Sequence, residues 1–303
     1  MKYIKLAAID IGSNSIRLLI SNVIPTLGYT YYRKVSMTRL PVRLGEDVFK
    51  KGKISKDNAQ RLVDAMRAYK YIMKVNQVHD LRACATSAMR EAQNGSALIE
   101  RIAAKTGINI QLIDGKEEAR LIFESKMFDK IQPAEKNFLY IDVGGGSTEL
   151  TLFEHGRITA SKSFKLGSVR ILNGLDQPQE WHKIQSWITS HTTKISDLAM
   201  IGSGGNINKT HKLSGKPIGK PLTLRYMQTV LKKLEKMSTD QRVMQLGLNF
   251  DRADVIVPAL KIYTSVTHWA GAQNMYVPKI GVSDGMIRDL YHTKYRDEME
   301  PVN

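Results

Sequence analysis

Two segments of this chain carry the same arrangement of chemically useful residues. Residues 7–20 read AAIDIGSNSIRLLI and residues 139–152 read LYIDVGGGSTELTL. Aligned without a gap, Asp10 falls on Asp142, Gly12 on Gly144, Ser15 on Ser147 and Leu18 on Leu150. Each reads as strand, Asp, small-residue turn, strand. Glycine lets a ligand approach the backbone, and successive N–H groups in such a turn form an anion-binding concavity. Gly12, Ser13, Asn14 and Ser15, and likewise Gly144, Gly145, Gly146, Ser147 and Thr148, are therefore expected to bind phosphate, with the hydroxyls adding donors. A carboxylate repels phosphate. Asp10 and Asp142 are instead expected to hold Mg2+, directly or through water. Arg17 aligns with Glu149. Arg17 is expected to touch phosphate, although a solvent-facing arginine fits the spacing equally, and Glu149 is expected on the metal side. A third glycine turn, Ile201-Gly202-Ser203-Gly204-Gly205-Asn206, lies between a strand and a helix pattern. Gly204 and Gly205 would there place N–H groups and a helix N-terminus on a phosphate.

Acid–base chemistry has one candidate. The segment Asp114-Gly115-Lys116-Glu117-Glu118-Ala119-Arg120-Leu121-Ile122-Phe123 opens a helix, with Asp114 as N-cap and Glu117 in the capping-box position. Glu118 has no such structural role and shares a face with Leu121 and Ile122. Partial desolvation would raise its pKa and suit it to activate water. A first-turn glutamate favoured by the helix dipole fits the same position. Arg90 follows a strand-end Ser/Thr turn at Thr86-Ser87. It reads either as a phosphate clamp or as a surface arginine beside Glu91.

The elements that must position these groups alternate between short β-branched runs and amphipathic helices, an α/β pattern. Strands are expected near residues 4–9, 16–24, 28–36, 80–85 and 108–113, with a second set from about 137. A helix is expected over 55–76, where Ala59, Leu62, Val63, Met66, Tyr69 and Met73 recur at helical spacing. The repeat predicts two related lobes with a cleft between them: residues 1–124, which a C-terminal helix at 284–299 could join, and 125–303. Lys plus Arg number 45 against 29 Asp plus Glu, a net charge of +16 that draws polyanions. No apolar run has the ~20 residues of a membrane span. The single cysteine, Cys84, excludes an internal disulfide and reads as a buried strand residue, which with the absence of a signal-peptide pattern points to the cytoplasm. The seven histidines show no paired metal-ligand spacing.

Taken in order, Ala8–Ser15, Ala85–Arg90, Glu117–Phe123, Ile141–Leu150 and Ser283–Arg288 resemble the exopolyphosphatase / guanosine pentaphosphate phosphohydrolase family of the actin-like ATPase superfamily. The resemblance implies two ribonuclease-H-like lobes with an interlobe cleft, and Mg2+-dependent release of terminal phosphate from inorganic polyphosphate or guanosine pentaphosphate. It implies that Glu118 orients the attacking water, Arg90 binds phosphate, Asp142 and Glu149 lie on the metal side, and Gly144–Ser147 form the phosphate loop. Arg43, Lys165, Arg170, Lys209 and Lys212 are expected to hold the rest of the polyanion. Two departures stand out: the long C-terminal helical domain that many members of that family carry is not expected here, and Asn206 occupies the third turn where Thr or Ser is expected. An ATP-dependent kinase of the same superfamily and a non-catalytic guanosine tetraphosphate or pentaphosphate binder are the rival readings. A membrane partner is not expected, nor is nucleic acid, for which no binding motif is present. A homodimer is compatible with the sequence.

Overall fold

The run Ile4–Ile11 is buried along nearly its whole length, as a central strand covered on both faces must be. In the computed structural model, which describes residues 2–126 and 137–299, it is β1 of a first unit comprising residues 1–125 and 281–303. There follow β2 (Ile16–Thr26), β3 (Tyr29–Leu40), α1 (Leu44–Lys51), α2 (Lys56–Val75), β4 (Asp80–Ala85), α3 (Ser87–Glu91), α4 (Gly95–Thr106), β5 (Ile110–Leu112) and α5 (Gly115–Glu124). The second unit, 126–280, holds β6 (Asn137–Val143), β7 (Thr148–Glu154), β8 (Arg157–Phe164), α6 (Ser168–Leu172), α7 (Pro178–Thr192), β9 (Leu198–Ser203), α8 (Gly205–Leu213), β10 (Leu222–Thr223), α9 (Leu224–Glu235), α10 (Thr239–Leu246), α11 (Phe250–Ala253), α12 (Ile256–Trp269) and β11 (Asn274–Tyr276). The chain then returns to the first unit with α13 (Val282–Lys294) and α14 (Arg296–Met299).

The C-terminal segment thus groups with the first unit. Its reason is packing that no local pattern reveals. Val282, Met286, Ile287, Leu290 and Tyr291 of α13 are buried, and this helix packs on β1, β2, β4 and α5.

The two sheets are built alike. The first has the order β3-β2-β1-β4-β5, and the second contains β8-β7-β6-β9-β11 with β10 added at the edge. In both, the first three strands pair antiparallel and the last two join in parallel. Even the irregularity recurs: β2 is bulged at Ile20/Ser21 and β7 at Leu152/Phe153, positions that coincide when Asp10 is laid on Asp142. A bulge sharpens the local twist, so the shared position means that both hairpins curl alike. Helix α2 buries all six residues of the expected stripe and is capped by Ser55, which accepts from the Asn58 N–H. β5 is shorter than the run 108–113 because it pairs with β4 alone. Among the described residues, no helix is long and apolar enough to cross a membrane.

Candidate active site

Directly paired residues of a sheet project from the same face, so the ladder registers define one row of side chains in each unit. In the first sheet the row is Arg39, Arg17, Asp10 and Cys84. In the second it is Ser163, Glu149, Asp142 and Ser203. The frames match, but the charges do not. Arg17 donates to Asp10 Oδ2 at 3.3 Å. Burial pushes the Asp10 carboxyl up from its ordinary range and Arg17 pulls it back. Asp10 and Arg17, expected on metal and phosphate respectively, therefore engage each other. Cys84 is fully buried, and burial pushes its thiol up to about 11, which keeps it from acting as a thiolate.

The second row sets two carboxylates opposite each other, Asp142 and Glu149. Like charges in register destabilise a sheet. Ser147 donates to Glu149 Oε1 at 2.6 Å and Ser163 at 3.0 Å, and Tyr140 donates a long 3.4 Å bond to Asp142 Oδ2. These are neutral donors; the position that is arginine in the first unit is here a second acid. The pair fits Mg2+, a hard cation that takes one or two carboxylates and keeps waters. Among the described residues no group of three or more His, Cys, Asp or Glu could hold a metal ion.

Beside this pair the glycine loop has a clear polarity. The carbonyls of Gly144, Gly145 and Gly146 accept from Ser168 N–H, Val169 N–H and Arg170 Nε at 2.9, 2.9 and 2.7 Å. A trans peptide points its N–H opposite to its carbonyl, so the N–H groups of Gly145, Gly146 and Ser147 face away from α6. Gly167 is required for this approach, because a Cβ there would lie 2.4 Å from the Gly145 carbonyl oxygen. Arg170, expected to hold polyanion, braces the loop through Gly146. Thr148 is fully buried and donates to the Leu166 carbonyl at 2.6 Å, so its hydroxyl has no role toward phosphate. The first loop repeats the turn: Gly12 N–H donates to Ser15 O at 3.1 Å, as Gly144 N–H does to Ser147 O at 2.9 Å. The carbonyls of Ser13 and Asn14 accept from Gly45 N–H and Arg43 N–H at the start of α1, and the Ser13 and Ser87 hydroxyls are 2.9 Å apart. Arg43 pairs with Glu46 at 2.5 Å.

The third turn lies in the second unit near Asp142. Gly204 has φ +111°, and a Cβ there would come within 3.0 Å of the Tyr263 hydroxyl and 3.2 Å of Asp142 Oδ1. The Tyr263 hydroxyl donates to the Ser203 carbonyl and accepts from Val143 N–H, tying together the strand ends that lead into both glycine turns. Gly205 begins α8, and a Cβ on it would stand 3.0 Å from Arg252 Nη2. Next to this lies a 330 Å³ pocket lined by Lys209, Lys212, Arg252 and Lys279 with Asn208 and Asn249. Burial, Lys212 and Arg252 lower the Lys209 pKa. Arg252 stands at the α8 N-terminus, Lys212 lies in the last turn of that helix, and the Lys209 ammonium donates to the Leu246 and Gly247 carbonyls; cations gathered around one pocket favour an anion there. Arg252 and Lys279 were not found from sequence, since only the return of the chain after α10 and β11 brings them to α8.

In the first unit, Glu118 is buried in the first turn of α5, and Asp114 caps the helix by accepting from Lys116 and Glu117 N–H. Glu117 does not reach back to the cap; it takes Arg82 at 2.9 Å and Arg120 at 2.8 Å. Arg90 is exposed and donates to the Ile113 carbonyl, bridging α3 to the strand before α5.

Residues 28–294 match the sequence profile of the Ppx/GppA phosphatase family. The chain belongs to that family. It is 34% identical over 176 residues to exopolyphosphatase 2 of Mycobacterium tuberculosis, an alignment covering 56% of this chain and 54% of that protein. It is 24% identical over 303 residues to the guanosine-5'-triphosphate,3'-diphosphate pyrophosphatase of Aliivibrio fischeri, covering 94% and 60%. The chain spans 32% to 60% of the length of three curated relatives it matches. A crystal structure of an exopolyphosphatase from Cytophaga hutchinsonii superposes with a TM-score of 0.83 at 21% identity over 95% of this chain and 98% of that one. The fold is thus the two-lobe, actin-like α/β architecture that the Ppx/GppA structures share.

Proposed function

We propose that this Ppx/GppA family member is a phosphohydrolase that releases terminal phosphate from inorganic polyphosphate or guanosine pentaphosphate, with Mg2+ as cofactor. The observation that carries the reading is the Asp142–Glu149 pair set beside the N–H face of Gly144–Ser147. Carboxylates and a nest of N–H donors in one place call for a cation and a phosphate together. Asp142 and Glu149 would hold Mg2+, which when bound neutralises phosphoryl oxygens as charge develops. The loop N–H groups donate to those oxygens. Glu118 orients the water and takes its proton. Lys209, Lys212, Arg252 and Lys279 attract the remainder of a polyanionic substrate, and this gives the excess positive charge a function. Arg90 is proposed as a phosphate contact beyond its bond to Ile113. A reduced, cytoplasmic setting and a homodimer remain parts of the proposal.

The test is phosphate release from long polyphosphate, short polyphosphate and guanosine pentaphosphate, with Mg2+ and with EDTA, for the wild type and Glu118→Gln. The variant should bind polyphosphate but lose about 10²–10⁴-fold in kcat, the usual contribution of a positioned base. Near-wild-type turnover in Glu118→Gln would refute the assignment. ATP hydrolysis with transfer to an acceptor and no turnover of polyphosphate would favour a kinase.

A further inference from the structure

Four charged side chains of the first unit close a ring. Arg82 of β4 donates to Glu117 Oε1 at 2.9 Å and to Asp289 of α13. Arg120 of α5 donates to both Glu117 oxygens at 2.8 Å and to Asp289 Oδ1 at 2.6 Å. Two cations and two carboxylates leave the ring neutral. Its inner members, Arg82 and Asp289, have side chains only 16% and 13% exposed. Isolated surface pairs contribute little. A closed, bidentate, half-buried ring instead holds geometry, because moving any one member breaks two contacts.

What the ring holds is the first turn of α5. That helix has ten residues, too few to be stable alone, so its orientation comes from its neighbours. Glu117 immediately precedes Glu118. Fixing the direction of Glu117 fixes the rotation of the turn and therefore the direction of Glu118 as well. The other side of the contact is rigid. A Cβ on Gly285 would lie 1.8 Å from the Leu121 carbonyl oxygen, so the α13 backbone rests directly on that of α5. Farther along, Lys34 pairs with Asp284 at 2.7 Å and Arg288 stacks 4.0 Å over the Tyr32 ring, anchoring α13 to β3. Arg120 lowers the Glu117 pKa from its ordinary value, with Arg82 acting in the same sense.

We propose that Asp289 is a positioning residue: through Arg82 and Arg120 it sets the first turn of α5 and so the direction in which Glu118 presents its carboxylate. The inference rests on the reading of Glu118 as the group that activates water. A misplacement of about 1 Å costs on the order of 10²-fold in rate.

The experiment measures kcat and KM on linear polyphosphate with Mg2+, at a temperature well below the melting transition, for Asp289→Asn, Glu118→Gln and the double variant. Asp289→Asn should lower kcat about 10- to 100-fold with KM within about twofold, and Asp289→Glu should recover part of the loss. Because Asp289 acts through Glu118, the double variant should be no slower than Glu118→Gln alone. If Asp289→Asn folds poorly, Arg120→Gln opens the ring at its most exposed member and should give the same split. Wild-type kcat in Asp289→Asn beside an inactive Glu118→Gln, or losses that multiply in the double variant, would overturn the proposal and leave the role of Glu118 intact. An active Glu118→Gln would overturn both.

Discussion

Glu149→Gln tests the asymmetry between the two units most directly. The substitution keeps the size of a residue only 5% exposed and leaves an oxygen to accept from Ser147 and Ser163. It removes one of two carboxylates paired in register with Asp142. Two like charges about 5 Å apart at an effective dielectric of 20 repel by about 3 kcal/mol. Against this relief, two hydrogen bonds to a charged acceptor become neutral ones, a loss of about 1 kcal/mol each. The terms nearly cancel, so in EDTA the variant should melt within about 3 °C of the wild type. In Mg2+ the two should diverge. At ten times the dissociation constant, binding stabilises the wild type by about 1.4 kcal/mol, or roughly 3–6 °C for a unit of this size. The variant, with one carboxylate, should shift by less than about 1 °C at the same concentration. Melting curves by far-ultraviolet circular dichroism across a Mg2+ series give the answer. Equal Mg2+ shifts in both proteins would show that Glu149 does not hold the ion and that the like-charged pair is not a metal site.

Other consequences can be checked separately. Glu117 has a depressed folded pKa, so its stabilisation is present above the unfolded carboxylate value near ~4.3 and is lost as pH falls through the folded value; Glu117→Gln should melt lower at neutral pH and decline less on acidification, and an identical acid limb would refute this. Gly285→Ala forces a methyl against the Leu121 carbonyl and should cost about 1–3 kcal/mol or more in a thermal melt, with a drop in kcat; an unchanged melt would contradict the backbone contact. Cys84 is buried with its thiol pushed up to about 11, so alkylation at neutral pH should wait for unfolding, and rapid labelling of the native protein would be inconsistent with that placement. Lys209→Ala and Lys212→Ala should each weaken polyphosphate binding and flatten its dependence on salt; no change in either would remove the pocket from the binding surface.

The fold was largely legible because its strongest signals are local and repeated. The strands near Asp10 and Asp142, the α2 stripe from Ala59 to Met73 and the Asp114 cap all follow from residue type and spacing, and each is found where those predict it. The site was legible only in part. The aligned pair Arg17 and Glu149 marked the two units as different, but not that Arg17 would turn onto Asp10. Thr148 and Arg170 have the right chemistry for phosphate, yet the return of the chain through Leu166 and α6 gives them structural partners. Arg252, Lys279 and Asp289 carried no sequence signal, because each reaches its place through contacts across the fold.

The helix that packs on α5 in the first unit emerges only after the whole of the second unit has been made. Residues up to Glu124 emerge early, but α5 lacks its support until Val282–Lys294 has followed. At ~5–20 residues per second, that interval lasts roughly 10–30 s. The second unit is contiguous in the chain and can close in the meantime. During synthesis the first unit therefore waits with the future seat of α13 on β1 and α5 uncovered, a stretch of apolar surface that a nascent chain must shield. The turn bearing Glu118 gains the support of α13 only once the second unit has been made.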